Sequence, residues 1–270
     1  MTLPDKVLQI EGLTHTYGSG STAHQALRDI TFDVMRGELM SIVGPSGAGK
    51  TTLLRTLAGL MPPTGGTLLF DGQPIRGVPA GLAMVFQDYR NSLFPWLTVK
   101  ANVNFPLRGR VASSEARDRV AASIEAVGLR GFEERFPGQL SGGMQQRVAI
   151  ARAMAYQPEI MLMDEPFASV DAQTREDLED LVLRVKDDFG MTVLFVTHDI
   201  DESVYLADRV VVLSKPPTIV QETVIIDLPD PRDQIATKAE GEFIRVRRHI
   251  AELIRNAPAG HEAVKNPVAS

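Results

Sequence analysis

The chain has 270 residues, with 28 basic and 34 acidic side chains, a formal net charge of −6 and no cysteine. This length allows one large domain or two modest ones, and the lack of thiols excludes disulfide frameworks, thiolate nucleophiles, thiolate zinc sites and iron–sulfur clusters. The acidic balance argues against a nucleic acid as the main partner, because proteins that bind nucleic acids present a basic face.

The apolar segments of the chain are all short. None approaches the roughly 20 residues that a membrane-spanning helix needs, and residues 1–9 lack the basic and apolar regions of a secretory signal. We therefore expect the chain to stay in the cytoplasm and to act at a membrane only through a partner.

Strand and helix patterns alternate along the chain. Short β-branched and apolar runs predict strands at residues 7–15, 30–34, 39–43, 67–70, 82–86, 160–163, 192–196, 209–213 and 219–226. Helical spacing of apolar residues predicts helices at residues 50–60, 114–127, 142–154, 172–188, 200–206 and 240–255.

The distribution of these elements indicates an α/β fold with three parts. Glycine-containing turns at residues 35–38 and 70–72 predict hairpins of an antiparallel sheet in the early part of the chain. Residues 98–156 carry almost no strand signal, whereas strands and helices alternate from 159 to 213, which is typical of a parallel sheet with crossover helices. We predict an α/β core, an antiparallel β subdomain and an inserted helical subdomain.

A glycine-rich segment joins the predicted strand at 39–43 to the predicted helix that begins at Lys50. It matches the phosphate-loop pattern with the residues Gly44, Pro45, Ser46, Gly47, Ala48, Gly49, Lys50 and Thr51. Its backbone N–H groups and the helix N-terminus can surround a β-phosphate. Lys50 can bridge the β- and γ-phosphates, and the Thr51 hydroxyl can bind Mg²⁺. The alternative is a glycine-rich turn before a chance Lys-Thr pair.

Two acids, Asp164 and Glu165, end the buried strand pattern at 160–163. The C-terminal edge of a parallel strand is where α/β sheets place ligands. There Asp164 can hold Mg²⁺ and Glu165 can polarise the water that attacks a γ-phosphate. The alternative is a pair of solvated acids at a strand end, but the phosphate loop favours the functional interpretation.

Residues 140–147 read Leu-Ser-Gly-Gly-Met-Gln-Gln-Arg. Ser141 is a good helix N-cap, and Gly142 and Gly143 leave backbone N–H groups uncovered, so this helix start is a second anion-binding element. The chain has two such elements but one phosphate-loop lysine, and this favours a nucleotide shared between two copies of the protein. The alternative is an ordinary capped helix.

The order of these motifs resembles the ATP-binding subunit of an ABC transporter over nearly the whole length. It runs from the phosphate loop through Gln87, the 140–147 segment and the acidic pair to Ser169-Val170-Asp171 and Thr197-His198-Asp199. The resemblance implies a P-loop NTPase core, built mainly on a parallel sheet. We predict one ATPase domain at 1–230 with the helical subdomain at about 90–157, a helical extension at 231–256 and a disordered tail at 257–270.

The resemblance also implies ATP and Mg²⁺ as cofactors and assigns residues to roles. Tyr17 would stack on adenine, Gln87 would sense Mg²⁺ and the membrane partner, Asp171 would couple two sites across a dimer, and His198 would contact the γ-phosphate. Catalysis would involve Lys50, Gln87, Glu165 and His198, and Mg²⁺ would be held by Thr51, Gln87 and Asp164. The nucleotide would contact Tyr17, the phosphate loop from Gly44 to Thr51, Thr52, Ser141, Gly142, Gly143, Gln145 and Asp171.

Three of these residues have ordinary structural alternatives when taken alone. Tyr17 could only pack against its strand, Gln87 could be a polar strand end, and His198 could be a hydrogen-bonded structural group. The family order favours the functional interpretation of all three.

Residues 94–99, Phe-Pro-Trp-Leu-Thr-Val, and residues 197–214 are similar to the importer group for nitrate, sulfonates, taurine and pyrimidine precursors. This implies transmembrane permease subunits that dock near Phe94 and Trp96, a second copy of the chain and, indirectly, a solute-binding protein. The chain would lie peripherally at the cytoplasmic face of the inner membrane, with no nucleic acid bound. The alternatives are that residues 93–99 are internal core, and that the chain is a soluble ABC-type mechanical ATPase without a membrane partner.

The last predicted helix has an apolar side formed by Phe243, Ile244, Ile250, Leu253 and Ile254. We expect it to pack on the core of its own chain; the alternative is that it contacts a second copy.

Overall fold

The computed structural model describes residues 5–258, except for the side chains of Ser21, Tyr89 and Arg90. The chain forms two compact units, which we call the discontinuous unit (Met1–Pro79 and Thr192–Ser270) and the central unit (Ala80–Met191). The tail predicted to be disordered begins at residue 257, but Ala257 is buried and the carbonyl of Pro258 accepts a hydrogen bond from the backbone N–H of Lys215 at 3.3 Å, so these two residues are ordered. Residues 259–270 lie outside the described residues.

The described part of the chain contains the following elements. The strands are β1 (Lys6–Tyr17), β2 (His24–Met35), β3 (Leu39–Val43), β4 (Gly65–Phe70), β5 (Gln73–Pro74), β6 (Leu82–Val85), β7 (Ile160–Asp164), β8 (Thr192–Val196), β9 (Arg209–Leu213) and β10 (Val220–Ile225). The α-helices are α1 (Lys50–Leu57), α2 (Tyr89–Ser92), α3 (Val99–Asn104), α4 (Ser113–Ala126), α5 (Gly142–Ala155), α6 (Ala172–Phe189), α7 (Ile200–Leu206), α8 (Ala236–Ala239) and α9 (Gly241–Arg255).

Every predicted strand and helix is present, and, apart from three single turns of 3-10 helix, four short elements were not predicted. These are β5, α2, α3 and α8, and the longest of them, α3, has 6 residues. Such segments are too short to show a periodic pattern of apolar residues.

In the discontinuous unit, an antiparallel sheet has the strand order β2-β1-β4-β5. The β4–β5 hairpin turns through Asp71 and Gly72, whose φ angles are 50° and 73°. Positive φ at both central residues gives the turn the twist that suits a two-residue hairpin. The hairpin predicted at 70–72 is therefore confirmed.

The hairpin predicted at the 35–38 turn is wrong. This turn leads from β2 into β3, and β3 pairs in parallel with β8 and β9 instead of antiparallel with β2. All five residues of β3 are buried. A strand covered on both faces is typical of a parallel core sheet.

Strands β10, β9, β3 and β8 lie side by side in that order in the discontinuous unit, with β10 antiparallel to β9 and the other pairs parallel. Helix α9 packs on α7 and β9. It buries Phe243, Val246 and Ile250, whereas Ile244 is 45% exposed. The helix therefore packs on its own chain as expected, but Ile244 does not belong to its buried side, because it lies outside the 243, 246, 250 row.

The central unit pairs β6 and β7 in parallel and is otherwise helical. From residue 86 to residue 159 the chain forms helices and turns without a strand. The helical character predicted for residues 98–156 is thus confirmed. Among residues 5–258, no helix has both the length and the apolar character needed to cross a bilayer.

Candidate functional site

The phosphate loop connects β3 to α1 in the discontinuous unit. Gly47 and Gly49 have φ angles of 77° and 71°, in the left-handed region that favours glycine. At Gly44, a Cβ atom would lie 2.9 Å from Cβ of Leu213, so a larger residue would not fit there. The loop therefore needs glycine for its curl at two positions and for close packing at a third.

Lys50 begins α1 and is buried, with 8% of its surface exposed. Its ammonium group donates hydrogen bonds to the carbonyl oxygens of Gly44, at 2.9 Å, and Pro45, at 3.2 Å. The cation is thereby held over the loop whose backbone N–H groups and helix N-terminus favour an anion. This arrangement suits the β- and γ-phosphates of a nucleotide.

Tyr17 ends β1 beside the same helix. Its hydroxyl group and Oγ1 of Thr52 are 2.9 Å apart, and its oxygen lies 3.7 Å from Sδ of Met61. The Tyr17 side chain is 41% exposed. A partly exposed aromatic ring tied to the phosphate-loop helix is well placed to stack on a nucleotide base.

His198 follows β8, whose end lies beside the end of β3. Ile42 pairs with Val196, and the backbone N–H of Thr197 donates to the carbonyl of Ile42 at 3.2 Å. The two strands are parallel, so the His198 loop and the phosphate loop emerge at the same edge of the sheet.

The loop that carries His198 is held in place by hydrogen bonds of the residues next to it. The Thr197 hydroxyl donates to the carboxylate of Glu202, at 2.6 Å, and accepts from the backbone N–H of Asp199 at 3.0 Å. Glu202 is only 4% exposed. Asp199 in turn caps α7 by accepting from the backbone N–H of Asp201 at 2.8 Å. The exposed His198 side chain thus projects from a fixed turn.

In the central unit, Gln87 and the acidic pair lie at neighbouring strand ends. Val85 of β6 pairs with Met163 of β7, and the side-chain amide of Gln87 donates to the Glu165 carboxylate at 3.2 Å. Asp164 is buried, with 5% of its surface exposed. Glu165 has a φ angle of 43°, which is rare for a residue with a side chain and typical of strained functional sites.

Ser141 caps α5 by accepting a hydrogen bond from the backbone N–H of Met144 at 3.3 Å. The predicted helix start is therefore formed, with Gly142 and Gly143 in its first turn. The amide of Gln145 donates to the carbonyls of Pro137, at 3.1 Å, and Leu140, at 3.2 Å. Its side chain thus holds the preceding loop.

Asp171 caps α6, and its carboxylate accepts from the backbone N–H of Thr174 at 3.0 Å and from the Thr174 hydroxyl at 2.8 Å. These two hydrogen bonds, the backbone one first, lower the pKa of the Asp171 carboxyl. Thr174 also packs against α5, because a Cβ added to Gly143 would lie 2.3 Å from its Cγ2. Thr174 therefore links the 140–147 segment to Asp171.

The predicted residues thus form local groups within each unit. Tyr17, Thr52 and the phosphate loop meet in the discontinuous unit, and the His198 loop follows the strand next to β3. Gln87 meets Glu165 in the central unit. There Ser141, Gly142 and Gly143 start the helix that touches Thr174.

Sequence reasoning missed His15, whose ring contacts that of Tyr17, and Thr174. The strand alternation of residues 13, 15 and 17 places His15 on the side of Tyr17, and the position three after a capping Asp points to Thr174. Both residues could have been found from these patterns.

The model of the family described as ABC transporter matches residues 27–168. The chain is 46% identical over 250 residues to an uncharacterized ABC transporter ATP-binding protein of Methanocaldococcus jannaschii, covering 92% of this chain and 91% of the relative. It is 41% identical over 254 residues to the nitrate import ATP-binding protein NrtD of Synechocystis, covering 92% and 95%. It is 45% identical over 227 residues to an aliphatic sulfonates import ATP-binding protein, SsuB 1, of Xanthomonas axonopodis, covering 83% and 89%.

Solved structures of ATP-binding cassettes are also similar to this chain. A dimeric ATP-binding cassette in a post-hydrolysis state, bound to ADP and Pi, has a TM-score of 0.70 and 33% identity, with coverage of 82% of this chain and 99% of the other. The cbiO1 protein of Clostridium perfringens, described as part of an ABC transporter complex, has a TM-score of 0.74 and 28% identity, with coverage of 93% and 99%. The predicted α/β P-loop NTPase fold is confirmed.

Proposed function

The chain belongs to the ABC transporter family of ATP-binding proteins, and we propose that it is the ATP-hydrolysing subunit of an importer for a small oxyanion such as nitrate or a sulfonate. Relatives that are 41% and 45% identical carry nitrate and aliphatic sulfonate import in their names. These names favour an importer over a soluble mechanical ATPase. In this role, ATP closes a dimer of two copies, and hydrolysis reopens it.

The observation that carries the hydrolytic role is the setting of Glu165. It follows the buried strand β7, has a strained backbone and receives a hydrogen bond from Gln87 at 3.2 Å. A carboxylate held in this way can orient and polarise the attacking water. In the proposal, Lys50 and the phosphate loop bind the phosphates, His198 contacts the γ-phosphate, and Tyr17 stacks on adenine.

We assign Mg²⁺ to Thr51, Gln87 and Asp164 by their chemistry. A hydroxyl, an amide oxygen and a carboxylate are hard oxygen donors, and Mg²⁺ is usually bound by one or two carboxylates together with substrate phosphates. The amide nitrogen of Gln87 donates to Glu165, which leaves its oxygen for a cation. The residues therefore fit the ion, which would neutralise charge on the β- and γ-phosphates.

The experiment that tests these roles compares two substitutions in the full chain. Lys50→Ala should abolish ATP binding and turnover, whereas Glu165→Gln should retain ATP binding and lose turnover. The exposed Glu11 offers a matched control, and Glu11→Gln should leave both unchanged. ATP binding by calorimetry and phosphate release measure the two steps, and an equal loss of affinity in both variants would contradict the proposal.

The shared nucleotide involves Ser141, Gly142, Gly143 and Asp171 from the second copy. The similarity to dimeric cassettes supports a self-dimer. Because each ATP would join the phosphate loop of one copy to Ser141 of the other, Glu165→Gln with ATP and Mg²⁺ should raise the dimer fraction. Sedimentation that shows only monomers at saturating ATP would refute this arrangement.

We place the docking site for the permease subunits at an aromatic cluster formed by Phe94, Trp96 and Phe105. The ring centroid of Phe94 lies 5.5 Å from that of Trp96 and 4.4 Å from that of Phe105. Trp96 is 71% exposed and Phe105 is 43% exposed, so these rings present apolar surface, whereas Leu93 and Val99, at the two ends of the segment 93–99, are buried in the core. Exposed clustered aromatics are typical of interaction sites.

A cavity of about 630 Å³ beside this cluster supports the same site. Its lining includes Lys100, Arg108 and Arg117, together with apolar side chains, and contains no acidic residue. The Arg108 guanidinium lies 5.4 Å from the ring centroid of Phe105, which joins the cavity to the cluster. We infer that a short amphipathic helix with acidic residues, from a permease subunit, occupies this surface.

Charge substitutions test the docking site. Trp96→Glu and Phe105→Glu should prevent co-purification of the membrane subunits while the ATPase activity of the isolated chain is retained. Phe189, 48% exposed in the same unit, is the control, and Phe189→Glu should leave assembly intact. Unchanged assembly of both test variants would refute the docking site. The chain would lie at the cytoplasmic face of the inner membrane and would work with a solute-binding protein only indirectly, through the permease.

The proposed domain organisation keeps one ATPase domain at 1–230, with the helical subdomain inserted at about 90–157, and treats residues 231–256 as a helical extension. Helix α9 packs against α7, which follows His198, and this contact supports the extension as part of the folded domain.

A further inference from the structure

The stacking role proposed for Tyr17 depends on how its ring is held. Its hydroxyl group is bonded to Oγ1 of Thr52 at 2.9 Å. The ring of His15 meets it edge to face, with 4.6 Å between ring centroids and 76° between ring planes. The side chain is therefore held both at its tip and along its ring.

His15 is an uncommon residue for a buried strand position. Only 6% of its surface is exposed, and its Nδ1 atom has no hydrogen-bond partner within residues 5–258. An unsatisfied buried nitrogen is unfavourable, so the stability of the sheet does not explain this histidine. An apolar side chain would fill the same position at lower cost.

The surroundings of His15 connect it to the nucleotide site. On the neighbouring strand β2 it pairs with Leu27. A Cβ atom placed on Gly49, at the end of the phosphate loop, would lie 3.1 Å from Cδ2 of Leu27. His15 and Leu27 are thus neighbours on adjacent strands of the antiparallel sheet. His15 contacts Tyr17, and Leu27 lies next to the phosphate loop.

We propose that His15 is a positioning residue for ATP: its edge-to-face contact holds the Tyr17 ring in the orientation that stacks on adenine. The proposal rests on the role of Tyr17 given above. A ring edge attracts a ring face because the aromatic quadrupole is positive at the edge and negative at the face. Losing such a pair should weaken ATP binding by roughly two- to tenfold.

The test is a double-mutant cycle on the full chain. The affinity for ATP is measured by isothermal titration calorimetry in EDTA, so that no hydrolysis occurs, for wild type, His15→Ala, Tyr17→Ala and the double variant. His15→Ala should weaken ATP binding by two- to tenfold, and it should cause no further loss when Tyr17 is already alanine. His15→Phe, which keeps a ring edge and removes the unpaired nitrogen, should restore the affinity for ATP.

Each outcome decides a separate point. If Tyr17→Ala leaves ATP affinity unchanged, the stacking role of Tyr17 fails, and the role of His15 fails with it. If Tyr17→Ala weakens binding but His15→Ala does not, only the role of His15 is overturned. If His15→Ala weakens binding equally in both backgrounds, or His15→Phe fails to restore it, His15 acts through the fold and not through Tyr17.

Discussion

The contact between Gly143 and Thr174 predicts that Gly143→Ala destabilises the central unit. In most helices, replacing Gly with Ala stabilises the fold by about 0.8–1 kcal/mol. Here the new Cβ would lie 2.3 Å from Cγ2 of Thr174, well inside van der Waals contact. Thr174 cannot rotate away freely, because its hydroxyl is bonded to Asp171 at 2.8 Å. Overpacking costs about 1–3 kcal/mol, so we expect a net loss of roughly 0–2 kcal/mol.

Two further variants separate overpacking from other effects. Thr174→Ser removes Cγ2 but keeps the hydroxyl for Asp171, so the double variant Gly143→Ala, Thr174→Ser should recover most of the lost stability. Gly241, at the start of α9, has no atom within 4 Å of a built Cβ. Gly241→Ala should therefore stabilise or leave the protein unchanged.

The assay is urea unfolding followed by the fluorescence of Trp96, the only tryptophan of the chain, which lies in the central unit. A coupling of at least about 1 kcal/mol between Gly143→Ala and Thr174→Ser is expected for a direct clash. If Gly143→Ala proves as stable as Gly241→Ala relative to wild type and shows no coupling to Thr174→Ser, the glycine is not required by packing and the reasoning is refuted.

Three other outcomes are expected. The hydrogen bonds from Thr174 that lower the pKa of Asp171 stabilise the fold above the ordinary carboxyl pKa, and this stability is lost as the pH falls through the lowered value. The free energies of unfolding in urea of wild type and Asp171→Asn should therefore differ at pH 7 and become equal in acid. Asn102→Ala removes four hydrogen bonds of a fully buried amide to residues 94–98. It should cost about 2–4 kcal/mol and increase the mobility of Trp96, measured by fluorescence anisotropy. In α9, Ile250→Ala should cost about 2–5 kcal/mol in thermal unfolding, whereas Ile244→Ala should stay within about 0.5 kcal/mol, because Ile250 is fully buried and Ile244 is 45% exposed.

The sequence predicted the long elements because their apolar residues repeat over several turns or strand pairs. It predicted the phosphate loop equally well, because that motif is local: its glycines, Lys50 and Thr51 all lie within eight consecutive residues. The direction of β3 was not predictable in the same way. Its pairing depends on β8, about 150 residues later, and a turn of suitable composition at 35–38 cannot reveal which strand becomes the neighbour.

Side-chain partners that join distant segments were the hardest to foresee. The bracing of the His198 loop by Glu202 follows a local capping pattern, and a reader of the sequence could propose it. The contact between Gly143 and Thr174 depends on the close approach of two helices. A glycine at position 143 does not by itself indicate which residue packs against it. His15 is intermediate, because strand alternation places it beside Tyr17 but gives no ring geometry.

The hydrogen bond between Gln87 and Glu165 changes how both residues are understood. From the sequence, each has a separate role, one toward Mg²⁺ and one toward water. In the structure, the amide nitrogen of Gln87 is committed to Glu165 at 3.2 Å, so the orientation of the amide oxygen follows from the position of the carboxylate. A movement of the segment after β6 that displaces Gln87 would therefore also break this hydrogen bond to the Glu165 carboxylate. Because the proposed docking cluster begins seven residues after Gln87, a partner that moved this segment would act on the carboxylate through the Gln87 side chain.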